Sequence, residues 1–484
     1  MHWKFAANII GILLIFLGLS MVVPLLVSFY YQDQTQENFI QSIGITMIVG
    51  LILIIISKKK QGRDDYINKK EGMAAVALAW AVIGLFGALP FYLSPQFTNF
   101  TDAFFESVSG FTTTGSSVMI NIESAQKSLL FWRCFIQWLG GMGIIVLSLA
   151  ILPFLGVGGI QLYNAEVPSP VPDKLTPRLS DSAKILWVVY ASLTIIEIIF
   201  LFGGGMTLFE AACHAFSTLP TGGFSPKNAS IAHYNNAYFD YVIVIFMLLA
   251  GINFSLHYQM LRGKTLAFWR DTECKVFLGL TFLFIILITW NTYSSVYASL
   301  NDAFRFASFQ VVSIITTTGF ATADYEKFPG LSQILLFICM FIGASAGSTG
   351  GGMKCARIIV CFKYCYRELF KIIHPHSISK IKFNNAVIAD DVLRSIMGFL
   401  VLYIALFILS SILLACMGID MMTAFGAVAA CIGNIGPGFG TVGPTENFAH
   451  IPFMGKWLLA LCMLLGRLEI YTVIILFIPE FWKK

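Results

Sequence analysis

The sequence predicts an all-α membrane protein. Four tandem helix–pore-loop–helix units surround one pseudo-fourfold pore, and two extra transmembrane helices precede them. Three observations carry this prediction. Of the 484 residues, 57% are hydrophobic and only 12% are charged, about half the charged share of a soluble domain (~25%). Long apolar runs recur along the whole chain, and no polar stretch is long enough to bury a core of its own. One short motif recurs in four variants, each time between a short apolar segment and a long one.

A helix needs about 20 apolar residues to cross the hydrocarbon core. The first run, Ala6 to about Tyr31, is far longer than a signal-peptide h-region, and no small-residue cleavage site follows it. It reads as a first transmembrane helix, with a second at 38–57. Further long runs lie at 73–94, 129–155, 183–204, 238–260, 275–293, 331–370 with an interruption, 391–417 and 456–480, giving ten expected crossings. Between them lie 101–111, 207–219, 301–315 and 420–434, all too short to span. These are either surface amphipathic helices or re-entrant half-helices. The divisions that follow are 1–72 (two helices and a basic loop), then units at 73–182, 183–274, 275–390 and 391–484.

Orientation follows from Lys and Arg, which concentrate on the cytoplasmic side. With the N-terminus inside and alternating crossings, the segment SKKKQGRDDYINKK (57–70) falls inside. So do Lys4, Lys174, Arg178 and Lys184, the turn around Arg262–Lys275, the stretch 354–394 and the C-terminal Lys483 and Lys484. That places 24 of the 31 basic residues inside. The net charge of +5 is therefore a topology signal, and no nucleic-acid partner is implied. Of the ten cysteines, Cys134, Cys213, Cys274, Cys339, Cys416, Cys431 and Cys462 lie in or beside apolar segments and read as small buried hydrophobes. Cys355, Cys361 and Cys365 fall in the basic stretch assigned to the cytoplasm. No CxxC pair occurs, and His374 and His376 have no sequence partners for a metal site.

The repeated motif follows each short segment. The turns align as Thr112-Thr113-Thr114-Gly115, Pro220-Thr221-Gly222-Gly223, Thr316-Thr317-Thr318-Gly319 and Ile435-Gly436-Pro437-Gly438. In this register a Ser stands six residues before the last Gly in three units (Ser109, Ser217, Ser313), with Ile432 in the fourth. A Phe follows the Gly in three (Phe224, Phe320, Phe439), with Ser116 in the first. Irregular backbone at membrane depth is tolerated only where it is buried in protein or lines a water-filled cavity. Four such strands about one axis would present rings of carbonyl oxygens that can replace a cation's water shell. Glycine supplies dihedrals closed to other residues, threonine hydroxyls add oxygens, and the half-helix C-termini favour positive charge.

At these residues the chain resembles the Trk/Ktr/HKT superfamily of potassium transporters, and its bacterial Trk branch most closely. The segments TTTGSS, PTGGFS, TTTGFAT, GPGFG, GASAGSTGGGMK (343–354) and LLGRLEIYT (464–472) carry the likeness, which extends over nearly the whole chain. The resemblance implies potassium uptake across the bacterial inner membrane, with both termini cytoplasmic. It also implies a homodimer with one pore per protomer and a cytosolic nucleotide-binding regulatory ring of the TrkA type. Potassium is then the transported ion, and no organic cofactor is expected. In plant relatives Ser in place of the first filter Gly accompanies sodium transport; Gly115 here favours potassium. The fourth unit departs from the pattern, since Ile435-Gly436-Pro437 stands where the others have threonines. Which of its carbonyls face the ion stays open, as does the choice between Gly222 and Gly223.

Two gate elements are expected. The eighth run is interrupted by GASAGSTGGG, with Gly343, Gly347, Gly350, Gly351 and Gly352, followed by Lys354. It fails the phosphate-loop pattern, because Met353 precedes the lysine and Cys355 follows it. It reads as a loop beneath the filter that obstructs the pore, with a small-residue helix interface or a simple hinge as alternatives. Arg467 lies 11 residues after Lys456 in the last run, about 16 Å deep. A buried Arg usually faces a cavity or a partner. It is expected to face the pore and to hold the glycine loop through carbonyls, or else to pair with Glu469. Glu197 reads as a proton site or as half of an ion pair. Glu106, Glu210 and Asp302 read as helix N-terminal charges or outer-mouth attractors. Transport by a channel-like or a proton-coupled route is left open. The alternatives are a sodium-permeable relative and, in a different class, a polytopic membrane enzyme. An enzyme would need converging His, Asp or Glu clusters at one depth, and the sequence offers none.

Overall fold

The structure is a computed structural model of the chain that describes residues 3–57, 69–150, 179–377, 379–384 and 386–482. The basic loop expected around 58–68, and Lys174 and Arg178, lie outside the described residues. The chain is an all-α membrane protein. Among the described residues, six helical stretches are long and apolar enough to cross a membrane: Ala6–Tyr31, Gln36–Ser57, Gly72–Tyr92, Ala183–Gly203, Thr272–Thr292 and Asp390–Cys416.

The two leading helices form an antiparallel pair. α1 (Trp3–Ser20) continues after Met21 as α2 (Val22–Tyr31), and α3 (Gln36–Ser57) returns. Gly11 and Gly50 face each other so closely that a Cβ on Gly11 would lie 2.8 Å from the Gly50 carbonyl oxygen. This close approach at small residues is how apolar helices associate where water supplies no driving force. Asp33 ties the turn between them to unit 1. Its carboxylate accepts from Ser28 Oγ (2.5 Å), Thr35 Oγ1 (2.7 Å) and the Ser128 amide (2.8 Å).

Each of the four units then repeats one plan. In unit 1, α4 (Lys69–Gly87) with α5 (Leu89–Tyr92) leads to the short α6 (Phe100–Phe111), and α7 (Lys127–Ala150) follows. Unit 2 has α8 (Leu179–Gly203), the short α9 (Leu208–Thr218), then α10 (Ala237–Gly251) and α11 (Phe254–Leu261). A one-turn helix, α12 (Ala267–Arg270), leads into α13 (Thr272–Thr292), which opens unit 3. The short α14 (Leu300–Ile315), α15 (Gly330–Ile342) and α16 (Cys355–Ile373) complete that unit. Unit 4 has α17 (Asp390–Cys416), the short α18 (Met421–Ile432), α19 (Phe453–Arg467), α20 (Ile470–Ile474) and α21 (Pro479–Trp482). The short helices begin where the sequence supplies caps. Asn99, Thr207 and Asp420 side chains each accept a first-turn backbone N–H.

Two features depart from the expectation. The second span is broken in units 2, 3 and 4, not in unit 3 alone. α10 and α11 meet at 99°, with Asn253 capping the second half through the Ser255 amide. α19 ends at Arg467 and resumes at Ile470 beyond Glu469, whose φ is 63°. In addition, a two-stranded antiparallel hairpin, β1 (Lys382–Phe383) and β2 (Ala386–Val387), follows α16. Its Asn384 docks on the start of α13, donating to Asp271 Oδ2 (2.6 Å) and accepting from the Thr272 amide (2.8 Å). Among the cysteines, Cys416 is exposed, against its reading as a small buried hydrophobe, and Cys355 is buried. Cys416 ends α17, the helix that offers many apolar side chains to the outside.

Candidate functional site

The C-terminal parts of the four short helices are buried, and each runs directly into an irregular strand. The strands share one hydrogen-bond pattern, which fixes their register. The Thr114, Gly222 and Thr318 amides donate to the Ser109, Ser217 and Ser313 carbonyls, each at 2.8 Å. In the fourth strand the Ile435 amide donates to Ala430 O at 2.9 Å. The dihedrals repeat in the same register. Thr113, Thr221, Thr317 and Asn434 have φ of 52°, 58°, 60° and 52°; Gly115, Gly223, Gly319 and Gly436 have φ of 86°, 73°, 82° and 107°.

This register corrects the sequence alignment of the fourth unit by two residues. Gly436, not Gly438, matches Gly115, and Gly433 and Asn434 match Thr112 and Thr113. Ala430 takes the place given to Ile432, and Pro437 the place given to Phe439. Gly438 lies beyond the turn, where its carbonyl accepts from Tyr325 Oη (2.6 Å) and its amide donates to Val442 O (2.7 Å). In unit 2, Gly223 takes the left-handed position and Gly222 precedes it.

The strands close into a ring in chain order. A Cβ on Gly115 would collide with the Gly222 carbonyl oxygen, one on Gly223 with Thr318 O, and one on Gly319 with Ile435 O. One on Gly436 would lie 2.9 Å from Thr114 O. Each unit's glycine thus packs on the carbonyl before the next unit's glycine, and the fourth returns to the first. Glycine is required by both the positive φ and the backbone approach. Side chains reinforce the ring. Ser116 Oγ donates to Gly436 O (2.9 Å), and Asn434 Nδ2 donates to Thr114 Oγ1 (2.9 Å) and Met463 O (3.0 Å).

The stretch after each turn is held by its own pore helix, from the position three residues before the Ser109-type residue. Glu106 accepts from Ser117 Oγ and the Val118 amide, both at 2.9 Å. His214 Nε2 pairs with Ser225 Oγ at 3.2 Å, and Gln310 Nε2 donates to Ala323 O at 3.2 Å. The fourth unit has Ala427 there, and its strand instead lies directly against Gly426. Glu106 is fully buried and paired with Arg133 (2.5 Å), so it is no mouth attractor. Glu210 and Asp302 do occupy first turns of their helices. Gln137 also braces the second strand, donating to Gly222 O (2.6 Å) and accepting from the Phe224 amide (3.1 Å).

The glycine-rich segment folds as a loop beside the turns of units 3 and 4. The Gly351 amide donates to Thr317 Oγ1 (2.6 Å), and the Gly352 amide to Gly433 O (3.0 Å). Thr349 Oγ1 donates to Leu219 O (2.8 Å), just ahead of Pro220. Gly343, Gly347 and Gly352 have φ of 69°, 72° and 72°, and Gly350 lies against the Thr316 carbonyl. Lys354 Nζ donates to Gly350 O across the loop. Glu273 on α13 anchors both ends, accepting from the Ala346 (2.7 Å) and Ala356 (2.9 Å) amides. Arg467 donates from Nη1 to Thr349 O at 2.6 Å, while its Nε and Nη2 are buried without a partner among the described residues. Glu469 pairs with Arg357 (2.6 Å) rather than with Arg467. Glu197 is fully buried, and no cationic partner for it lies among the described residues.

Sequence reasoning missed Asn434, Gln137, Thr349 and Glu273. Only Asn434 left a signal: after glycine, asparagine tolerates a left-handed backbone best.

Residues 35–484 match the family described as TrkH: Cation transport protein. The chain is 41% identical to the Trk system potassium uptake protein TrkH of Escherichia coli K12, with 100% of both chains covered. It is 34% identical to the Trk system potassium uptake protein TrkG of the same organism, covering 100% of this chain and 99% of that one. Among solved structures, the crystal structure of the potassium transporter TrkH from Vibrio parahaemolyticus superposes with a TM-score of 0.90 at 36% identity, covering 100% of both chains.

Proposed function

Because the chain belongs to the TrkH family of cation transport proteins, we propose that it takes up potassium through the ring of four turns. The observation that carries this reading is the cyclic packing of Gly115, Gly223, Gly319 and Gly436 on their neighbours' carbonyls. Such a ring sits at the C-terminal ends of four half-helices, whose dipoles favour a cation, and its carbonyls substitute for the ion's hydration shell. The filter residues are Thr112–Gly115, Pro220–Gly223, Thr316–Gly319 and, in the corrected register, Gly433–Gly436. Pro437 and Gly438 follow the filter. Potassium is cargo, and its relatives' names point to transport rather than enzymatic chemistry.

The glycine loop from Gly343 to Gly352 acts as the gate. It is bonded to the turns of units 3 and 4, and Arg467 holds it at Thr349. The unpartnered part of the Arg467 guanidinium places positive charge beneath the filter and raises the barrier to a cation. For a proton-coupled cycle, the candidate is Glu197, a fully buried carboxyl beside Thr218 at the end of α9.

The protein works in the bacterial inner membrane with cytoplasmic termini, as a homodimer. The exposed apolar side chains of α16 (Phe362, Tyr366, Leu369, Ile373) offer a stripe for a second copy. The basic stretch 354–394 offers the docking surface for a TrkA-type nucleotide-binding ring.

The test is cation flux into proteoliposomes for wild type and Gly319→Ser, comparing potassium, rubidium and sodium. Potassium and rubidium should exceed sodium, and the substitution should abolish the difference. Equal flux of all three, unchanged by the substitution, would refute the filter assignment.

A further inference from the structure

The four units are joined covalently only through chain segments between them, so their spacing on the filter side depends on contacts across four seams. Each seam carries a charged side chain that bridges one unit to the next. At the seam between units 1 and 2, Arg133 of the buried Glu106 pair donates to Ser225 O (2.9 Å), and its guanidinium lies 3.7 Å from the centre of the Phe224 ring. Between units 2 and 3, Asp240 on α10 pairs with Arg305 on α14 (2.6 Å). Between units 3 and 4, Glu326 accepts from the Gly440 amide (2.5 Å). Between units 4 and 1, Lys456 on α19 pairs with Asp102 on α6 (2.5 Å) and also donates to Ala449 O (2.9 Å).

These contacts differ in chemistry and in donor unit, yet all lie near the starts of the pore helices or on the stretches just after the filter. The last seam differs from the others because it closes the ring. Lys456 is almost fully buried there. Beside it Trp457 stacks on Phe104 (4.6 Å) and donates to Thr101 Oγ1 (3.2 Å), and the Phe448 amide donates to Ser117 O (2.8 Å). Ser117 is also the residue that Glu106 grips. The Lys456–Asp102 pair is thus mechanically continuous with the strand after Gly115. Removing one partner of this partly buried pair leaves the other charge without its counter-ion, and the seam then relaxes.

We propose that these four charged contacts form a girdle that sets the aperture of the ring, and that Lys456 and Asp102 are positioning residues for ion selectivity. The proposal rests on the filter reading above. A carbonyl ring selects by the spacing and number of its oxygens, so a slackened seam admits the smaller cation. Flux itself persists, because no carbonyl is lost.

The test measures the potassium-to-sodium flux ratio in proteoliposomes for Lys456→Gln, Lys456→Arg and the exchanged pair Asp102→Lys/Lys456→Asp. Gly319→Ser serves as the reference, and each variant is checked for monodispersity in detergent. Lys456→Gln should lower the ratio about tenfold, a 1.4 kcal/mol effect, while potassium flux stays within a factor of a few. Lys456→Arg should keep the ratio, and the exchanged pair should recover most of it. A wild-type ratio in Lys456→Gln, with Gly319→Ser non-selective, would overturn the girdle and leave the filter standing. Loss that neither Lys456→Arg nor the exchange restores would also overturn it, since the pair would then not be the cause. No effect of Gly319→Ser would instead refute the filter reading itself.

Discussion

Threonine is a poor choice for a left-handed backbone, yet Thr113, Thr221 and Thr317 all adopt one. Each stores about 1–3 kcal/mol that the surrounding packing must hold in place. In the fourth unit Asn434 does the same at lower cost, and its amide ties that turn to Thr114 and Met463. The register of this unit was hidden because GNIGPGFG offers four glycines two or three residues apart, and matching Gly438 looks as good on paper. Dihedrals and hydrogen bonds choose Gly436. The same reasoning separates Gly222 from Gly223. A methyl on Gly223 meets the Thr318 backbone, whereas one on Gly222 meets the Gln137 side chain, which can shift. Gly223→Ala should therefore abolish potassium-selective uptake. Gly222→Ala should keep a measurable part of it, as read by rubidium uptake in a potassium-auxotrophic host.

At the scale of elements, the spans and half-helices were legible because length and hydropathy alone separate them. The breaks in units 2 and 4 were not. The run through Asn253 and the run through Leu468–Glu469 stay apolar on either side, and the 99° bend comes from backbone that packs on the glycine loop. The Phe254 amide donates to Gly347 O (3.1 Å), and the Ser345 amide to Gly251 O (3.0 Å). Arg467 sits at the last of these breaks. Losing its bond to Thr349 removes a charged hydrogen bond of about 1.5–3 kcal/mol. Arg467→Gln should then raise ion flux through the isolated protein by about tenfold or more, measured in proteoliposomes without any partner. The leading helices give a second test. Burial pushes the Asp33 carboxyl up, but hydrogen bonds from Ser28, Ser128 and Thr35 outweigh it and hold it below the ordinary 3.8. A lowered folded value means that the stability it adds is present above 3.8 and is lost as pH falls further. Asp33→Asn should cost about 1–2 kcal/mol near neutral pH. That cost should vanish in strong acid, as followed by thermal melts in detergent.

For the whole molecule, composition and repetition announced four units about one axis, but neither could say how a single chain shuts the ring. That depends on contacts between residues hundreds of positions apart, such as Asp102 with Lys456, whose sequence neighbourhoods hold nothing unusual. If the seams hold the units together, an unbroken chain is dispensable. Cutting in the exposed turn at Gly263–Leu266 and co-expressing the two pieces should restore rubidium uptake, while either piece alone should give none. The closure also has a consequence for biogenesis. Gly436 reaches the Thr114 carbonyl only after three complete units are already in the bilayer, so the aperture does not exist while the ribosome is still making the first three. A nascent chain stalled at any earlier point exposes an unpaired flank of unit 1 to lipid.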